Sequence, residues 1–331
     1  MKPKALYLLP TASYHKIYGP DEQRDIATRV ELVSDVIAPE AIPTLGNRFH
    51  EVEIMFSGWG MAAMDAQFFA CFPNLKVLFY GGGAVNRFIT DEVWRRNLPV
   101  TTSNTANGVP VAEYTVSQIH LCLKQAYQAN QILKRERRFI RPTPVAGAYG
   151  STVGIISLGA IGRLVLERLR LSAVKVVTYD PFLSPTRAAE LGVTLLSLDE
   201  VFAQSDVITC HTPWLPETVG MITGAHFRQM KSGAAFINTA RGAVINEPEM
   251  IEVLQARPDL FAVLDVTWPE PPPPESPLYD LPNVFLTPHI AGSMDTECRR
   301  MGRLVVEELD RWLAGQPLKH RVTPEYARAF L

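Results

Sequence analysis

The sequence has few of the features that mark an exported, membrane-bound or nucleic-acid-binding protein. No run approaches the roughly 20 apolar residues of a spanning helix, and the first ten residues lack the hydrophobic stretch of a signal peptide. The 34 Asp and Glu nearly balance the 32 Lys and Arg, so no strong field attracts nucleic acid or an anionic membrane surface. We therefore expect a cytoplasmic protein without nucleic-acid or membrane partners.

Cysteine is also scarce, and no internal repeat is present. The four cysteines are far apart and form no CxxC pair: Cys71, Cys122, Cys210 and Cys298. This spacing argues against both a metal site and a disulfide framework. We expect reduced, mostly buried thiols and no bound metal.

Apolar residues make up 47% of the 331 residues, which is enough to build two domains. Apolar runs of strand length alternate with helix-period segments, which predicts parallel sheets with helices on both faces. The first series of runs covers residues 5–9, 53–57, 76–80 and 99–101. A second series of six runs, the size of a dinucleotide-binding sheet, covers residues 152–157, 174–179, 206–210, 234–238, 261–266 and 284–286.

Two long segments have helical spacing of apolar residues. Residues 111–138 contain almost no helix breaker, which predicts one long helix joining the domains. Residues 294–313 predict a helix after the last strand, and this helix could return to the first domain. Four consecutive prolines, Pro271 to Pro274, predict a stiff turn after Glu270.

A glycine-containing loop follows the first strand of the second series and opens a helix. Gly159 would allow close approach of a pyrophosphate, Gly162 would allow tight helix packing, and the amides of Ala160 and Ile161 would face the anion. Ser157 stands where the usual pattern has its first glycine. Either φ is negative at this turn, or the pyrophosphate binds slightly differently. The alternative is a strand-turn-helix whose glycines serve packing only.

Asp180 favours the cofactor interpretation, because it ends the next strand 18 residues after Gly162. A carboxylate at this spacing binds the adenine ribose hydroxyls and repels a 2′-phosphate, which predicts NAD rather than NADP. The alternative is a turn or capping residue.

Three polar residues follow strands of the second series: Arg241, Glu270 and His289. Ligands bind at the carboxyl ends of such strands. Taken singly, the three could be a surface ion-pair partner, a solvated charge and a loop histidine. Together they supply an anion clamp, a group that stabilises an imidazolium, and a general acid.

These residues and their 29- and 19-residue gaps resemble the D-isomer-specific 2-hydroxyacid dehydrogenase family. The resemblance covers approximately residues 75–313. The motifs that carry it are Asn238-Thr239-Ala240-Arg241-Gly242, Leu264-Asp265-Val266, Pro269-Glu270-Pro271, Thr287-Pro288-His289-Ile290-Ala291-Gly292, Val111-Ala112-Glu113-Tyr114-Thr115, and Cys210-His211-Thr212-Pro213 with Glu217-Thr218.

The resemblance implies an α/β fold with two doubly wound parallel-sheet domains and an active site in the cleft between them. A Rossmann NAD-binding domain, residues 105–292, would be inserted in a flavodoxin-like substrate domain of residues 1–104 and 293–331. It also implies a homodimer that pairs through the region of the long helix.

The resemblance further implies roles for individual residues. Arg241 would bind the substrate carboxylate, and His289, supported by Glu270, would be the acid/base. Gly82, Gly83 and Ala84 match the family's substrate-carboxylate loop, although a glycine run here could equally be a flexible turn. The cofactor-binding residues would be Ser157, Gly159, Ala160, Ile161, Gly162, Asp180, His211, Thr212, Pro213, Thr218, Thr239, Ala240, Asp265 and Gly292.

The expected function is therefore the NAD-dependent interconversion of a small 2-oxo acid and its D-2-hydroxy acid. A phosphite-type dehydrogenase and an NAD(H)-sensing protein of corepressor type remain alternatives. Glu270 disfavours formate dehydrogenase, whose pattern has glutamine at this position. The substrate side chain is not specified, and candidates for lining its pocket are Trp59, Met61, Tyr80 and Trp268.

Overall fold

The computed structural model describes residues 2–328, which divide into two compact units. The chain up to Asn107 and from Ser293 onward forms the first unit, and Gly108–Gly292 forms the second. The sequence predicts domain boundaries after residues 104 and 292, and the structure places them after residues 107 and 292. The chain passes from the first unit to the second within one helix.

Among the described residues of the first unit, five strands form one parallel sheet in the order β2-β1-β3-β4-β5. This is the flavodoxin-like order, as the sequence predicted. The strands are β1 Lys4–Tyr7, β2 Glu31–Leu32, β3 Ile54–Gly58, β4 Val77–Gly81 and β5 Val100–Thr102. The helices among them are α1 Thr11–Ile17, α2 Pro20–Arg29, α3 Ile42–Leu45, α4 Ala66–Cys71 and α5 Asp91–Arg95.

The second unit contains a sheet of seven parallel strands in the order β12-β11-β10-β9-β6-β7-β8, all within the described chain. This is the doubly wound order of a dinucleotide-binding domain with one further strand. The strands are β6 Thr152–Ile156, β7 Lys175–Tyr179, β8 Thr194–Leu195, β9 Val207–Cys210, β10 Ala235–Asn238, β11 Phe261–Leu264 and β12 Val284–Leu286. The helices are α6 Asn104–Leu123, α7 Ala126–Glu136, α8 Ala160–Leu169, α9 Pro185–Leu191, α10 Leu198–Gln204, α11 Gly224–Gln229 and α12 Glu247–Ala256.

The C-terminal segment completes the first unit, as the sequence suggested. A 3-10 turn, Asp295–Cys298, leads into α13 Arg299–Leu313, and α14 Pro324–Arg328 follows. The buried face of α13 packs on the same side of the sheet as α1 and α2, in one core cluster that includes Ile17, Met301 and Val305. The periodic apolar residues of this helix thus find their partner in the N-terminal sheet.

The prediction of a single helix over residues 111–138 is wrong. The chain breaks between α6 and α7 at Gln125, whose φ of 48° is left-handed. The turn lets the Tyr127 ring stack on Phe261 and Phe285, at centroid distances of 5.2 and 4.6 Å. Because no glycine or proline marks the break, only packing against the sheet reveals it.

The count of six strands in the second sheet is also wrong, because β8 adds a seventh strand at the edge. This strand and β2 each contribute only two residues, too few for an apolar run to reveal. The four cysteines are all buried and free, as expected. No helix among residues 2–328 has the length and apolar character that a membrane span requires.

Candidate functional site

The structure brings His289 and Glu270 into contact. They lie on the loops that follow the adjacent strands β12 and β11, and His289 Nδ1 is 2.6 Å from Glu270 Oε1. Both side chains remain accessible, 45% and 40% exposed. His289 has a φ of 54°, in the left-handed region that few residues other than glycine adopt. Such strain persists only where the surrounding structure enforces it.

Asp265 supplies much of that enforcement. Its side chain is buried directly after β11, and its carboxylate accepts three hydrogen bonds from the His289 loop. Oδ1 accepts from Thr287 Oγ1 at 2.6 Å and from the Ile290 amide at 2.8 Å, and Oδ2 accepts from the Ala291 amide at 2.9 Å. The main-chain carbonyl of Asp265 also accepts from the His289 amide at 3.0 Å. Asp265 therefore positions the His289 loop, while its predicted contact with the cofactor stays a prediction.

Tyr114 extends this network from α6. Its hydroxyl lies 3.0 Å from Thr287 Oγ1, and because the Thr287 proton is used toward Asp265, Tyr114 is the donor. Burial raises the pKa of Tyr114, which keeps the phenol protonated for this role. Tyr114 belongs to a motif of the family resemblance, but no sequence pattern indicates this role for it.

Arg241 follows β10 in a turn that Asn238 organises. The buried Asn238 side chain accepts from the Ala240 amide and donates to the Arg241 carbonyl, both at 3.0 Å. Next to it, a Cβ added to Gly242 would lie only 2.0 Å from the Thr267 carbonyl carbon. Glycine is thus required for the loop after β10 to run against the loop after β11. The role of Asn238 was not predicted, and its only signal is a polar residue ending an apolar strand.

The cofactor loop keeps its left-handed turn despite the missing glycine. Ser157 has a φ of 72°, so the alternative of a negative φ at this turn is wrong. Its hydroxyl lies 3.0 Å from Thr212 Oγ1, a contact that helps hold the serine in this conformation. A Cβ added to Gly162 would lie 2.2 Å from the Ser157 carbonyl oxygen, so helix α8 starts tightly against the turn.

The start of α8 is shaped to receive an anionic group. Gly159 is its N-cap and has no side chain that could cap the helix, and apart from its two chain neighbours no described atom lies within 4 Å of the place where its Cβ would be. Amides at such a helix end bind phosphate. Asp180 lies beside this turn, where its carboxylate accepts from the amides of Leu158 at 2.8 Å and Phe182 at 2.9 Å.

The loop after β9 is held by Thr218 and carries a half-buried histidine, His211. Thr218 Oγ1 donates to the Pro213 carbonyl at 2.7 Å and accepts from the Leu215 amide at 2.8 Å. Burial lowers the pKa of His211 to about 3, so the imidazole is neutral. Its Nδ1 has no hydrogen-bond partner among residues 2–328.

The predicted cofactor residues lie at the carboxyl ends of β6, β7, β9, β10, β11 and β12, along one edge of the sheet. The loop after β10 includes Thr239, whose hydroxyl is 3.0 Å from that of Thr115, and Ala240. Gly292 closes the loop after β12. The open helix end, the unpartnered His211 nitrogen and the nearby Asp180 carboxylate together fit a dinucleotide with a free ribose hydroxyl.

In the first unit, the Gly82 to Ala84 loop follows β4. The Thr102 hydroxyl lies 2.9 and 2.7 Å from the carbonyl oxygens of Gly82 and Gly83. A Cβ at Gly82 would meet the Tyr80 ring at 2.7 Å. Side-chain contacts thus hold this loop, while its role in binding the substrate carboxylate stays a prediction.

Residues 116–291 match the family model described as the D-isomer specific 2-hydroxyacid dehydrogenase, NAD binding domain. The chain is 32% identical over 259 residues to D-3-phosphoglycerate dehydrogenase of Archaeoglobus fulgidus, covering 78% of this chain and 49% of the relative. The Bacillus subtilis enzyme of that name is 33% identical over 246 residues, covering 74% and 46%. The chain thus spans about half the length of the curated relatives it matches.

Solved structures agree on the fold. A phosphoglycerate oxidoreductase from Rhizobium etli superposes with a TM-score of 0.83 at 22% identity, covering 98% of this chain and 99% of that one. D-mandelate dehydrogenase from Rhodotorula graminis gives 0.79 at 22% identity, covering 98% of both chains. The family model spans more than half of the sequence and includes the loops of Ser157, Arg241, Glu270 and His289. The chain therefore belongs to the D-isomer-specific 2-hydroxyacid dehydrogenase family and contains its NAD-binding domain.

Proposed function

We propose that this protein is an NAD-dependent D-2-hydroxyacid dehydrogenase that interconverts a small 2-oxo acid and its D-2-hydroxy acid. The observation that carries the proposal is the 2.6 Å contact between His289 and Glu270, at the same sheet edge as the Arg241 loop and the cofactor loop. Membership of the family supports the reaction class. Bound NADH supplies the hydride for C2, and the protein supplies orientation and proton transfer.

Each side chain of the site has a distinct proposed task. Arg241 binds the substrate carboxylate bidentately and places an N–H near the C2 oxygen. Because Glu270 holds His289 Nδ1, the Nε2 atom donates the proton to that oxygen as the hydride arrives. Through this contact Glu270 orients the imidazole ring. In the first unit, the main-chain amides of Gly82, Gly83 and Ala84 form a proposed carboxylate-binding loop.

NAD is the proposed cofactor in preference to NADP. The Asp180 carboxylate stands beside the dinucleotide turn, where it would repel a 2′-phosphate. Solved neighbours include an NADPH-dependent glyoxylate/hydroxypyruvate reductase from Sinorhizobium meliloti and an NAD-complexed D-isomer specific 2-hydroxyacid dehydrogenase from Lactobacillus delbrueckii, so the fold accommodates both cofactors. Wild-type enzyme should have a higher kcat/KM with NADH than with NADPH, and Asp180→Ala should reduce this difference in kcat/KM. A wild-type preference for NADPH would contradict the assignment.

The test of the reaction class is an initial-rate assay with NADH and a panel of 2-oxo acids, together with D-3-phosphoglycerate and NAD. His289→Ala should lower kcat by about 10²-fold or more, because the general acid is lost. Arg241→Ala should raise KM and lower kcat together, because the clamp acts in the ground state and the transition state. Tight NADH binding without turnover of any acid would instead support the corepressor-type alternative, and oxidation of phosphite would support the phosphite-type alternative.

We also propose a homodimer. Large apolar side chains are exposed along residues 121–171: Leu121, Leu133, Phe139, Tyr149 and Leu171. Exposed apolar groups in such a concentration are typical of a protein interface. Sedimentation should show a species of twice 36.8 kDa, and the double variant Phe139→Ser with Tyr149→Ser should shift it toward the monomer. A wild-type monomer at micromolar concentration would refute this proposal.

A further inference from the structure

Two tryptophans form a pair at the carboxyl edge of the second sheet, on either side of the Arg241 loop. Trp214 lies on the loop after β9 and Trp268 on the loop after β11, and these strands flank β10, which leads into Arg241. The ring centroids are 4.7 Å apart at an interplanar angle of 67°, an edge-to-face arrangement. We call Trp214 and Trp268 the indole pair.

The main chain of Trp268 is anchored to the segment that carries Arg241. The Trp268 amide donates to Glu247 Oε2 at 2.9 Å, and Glu247 is buried at the first position of α12. The preceding residue, Thr267, is in tight contact with Gly242, directly after Arg241. The position of Trp268 relative to Arg241 is therefore determined by the backbone.

The indole pair is also close to the proposed acid/base group. Trp268 and Glu270 are two residues apart, so their Cα atoms are separated by at most about 7 Å. Trp268 is half exposed, although a tryptophan usually buries most of its large apolar surface. Glu270 and His289 are also accessible here, and so are the smaller apolar rings of Pro269, Pro271 and Pro288. The indoles thus add a large apolar surface beside the proposed acid/base pair.

We propose that the indole pair contacts the side chain of the substrate, which is the substituent on C2 other than the carboxylate and the oxygen. This contact selects apolar, and above all aromatic, side chains. This inference rests on the proposed function. Arg241 and His289 engage the carboxylate and the C2 oxygen, so the side chain is the part of the acid left to be recognised. An aromatic ring gains edge-to-face contact with the indoles. A phosphate on C3 would have to lose water beside them, which is unfavourable.

The test compares phenylpyruvate, which has an aromatic side chain, with glyoxylate, which has none, using NADH. Wild type should favour phenylpyruvate in kcat/KM. Trp268→Ala and Trp214→Ala should each lower kcat/KM for phenylpyruvate by about 10- to 100-fold, with a much smaller effect on glyoxylate. Trp268→Phe should restore most of the selectivity, because it keeps an aromatic face. The control is Tyr279→Ala, which removes a similarly exposed aromatic ring from the same unit and should leave the ratio unchanged.

The dissociation constant of NADH, measured on each variant, reports whether the second unit is still folded. Equal losses for the two substrates in Trp268→Ala, or a wild-type preference for glyoxylate or for a 2-oxo acid with a phosphate on C3, would overturn the selectivity proposal. Either result would leave the dehydrogenase function standing, because turnover would still be observed. Failure of wild type to reduce any 2-oxo acid would overturn both.

Discussion

Asp265→Asn tests whether the buried carboxylate serves the His289 loop. The carboxylate accepts from Thr287 Oγ1, the Ile290 amide and the Ala291 amide. Asparagine keeps only one acceptor oxygen, so in either orientation its NH₂ group faces at least one backbone N–H. One buried unsatisfied donor costs about 1–3 kcal/mol, and the remaining bonds lose the strengthening that a charged acceptor provides. We expect the free energy of unfolding to fall by about 2–4 kcal/mol.

Urea unfolding followed by circular dichroism measures this loss, and steady-state kinetics measures its consequence for His289. The kcat should fall, because the left-handed backbone of His289 loses the contacts that enforce it, whereas KM for NADH should change little. Thr287→Val is the matched control, since it removes one of the three donors and should cost about 1 kcal/mol. If Asp265→Asn raised KM for NADH while the unfolding free energy stayed within about 0.5 kcal/mol of wild type, the carboxylate would act on the cofactor instead.

Three further predictions follow from contacts at the sheet edge. Glu270→Gln replaces the carboxylate 2.6 Å from His289 Nδ1 with an amide, so kcat for reduction should fall by about 10-fold or more while KM for NADH changes little, and an unchanged kcat would contradict the pairing. Ser157→Val places a β-branched residue at a φ of 72° and should lower the unfolding free energy by about 1–3 kcal/mol, whereas Ser157→Gly should have a smaller effect; thermal melting compares them. His211 has a folded-state pKa of about 3, below its unfolded value of about 6.5, so the unfolded chain binds more protons and stability falls as the pH drops. Between pH 7 and 5 wild type should lose about 2 kcal/mol more than His211→Asn in urea unfolding, and equal losses would show that the folded protein does not hold His211 neutral.

The sequence by itself determined the fold class and the identity of the polar residues at the strand ends. Strands of a parallel sheet are buried on both faces, so they appear as nearly continuous apolar runs, and both sheets were predicted from such runs. The residue that follows each run then lies at the ligand-binding edge, which is how Arg241, Glu270 and His289 were found. The edge strands β2 and β8 were missed because two residues produce no pattern.

Only the tertiary structure decided which of these residues touch and what holds them in place. The contact between His289 and Glu270, the three hydrogen bonds of Asp265 and the indole pair each join loops that are distant in sequence. Their approach depends on the order of strands in the sheet, to which no local pattern is sensitive. The break at Gln125 has the same origin. No helix-breaking residue lies there, and the helix turns where Tyr127 stacks on Phe261 of β11 and Phe285 of β12.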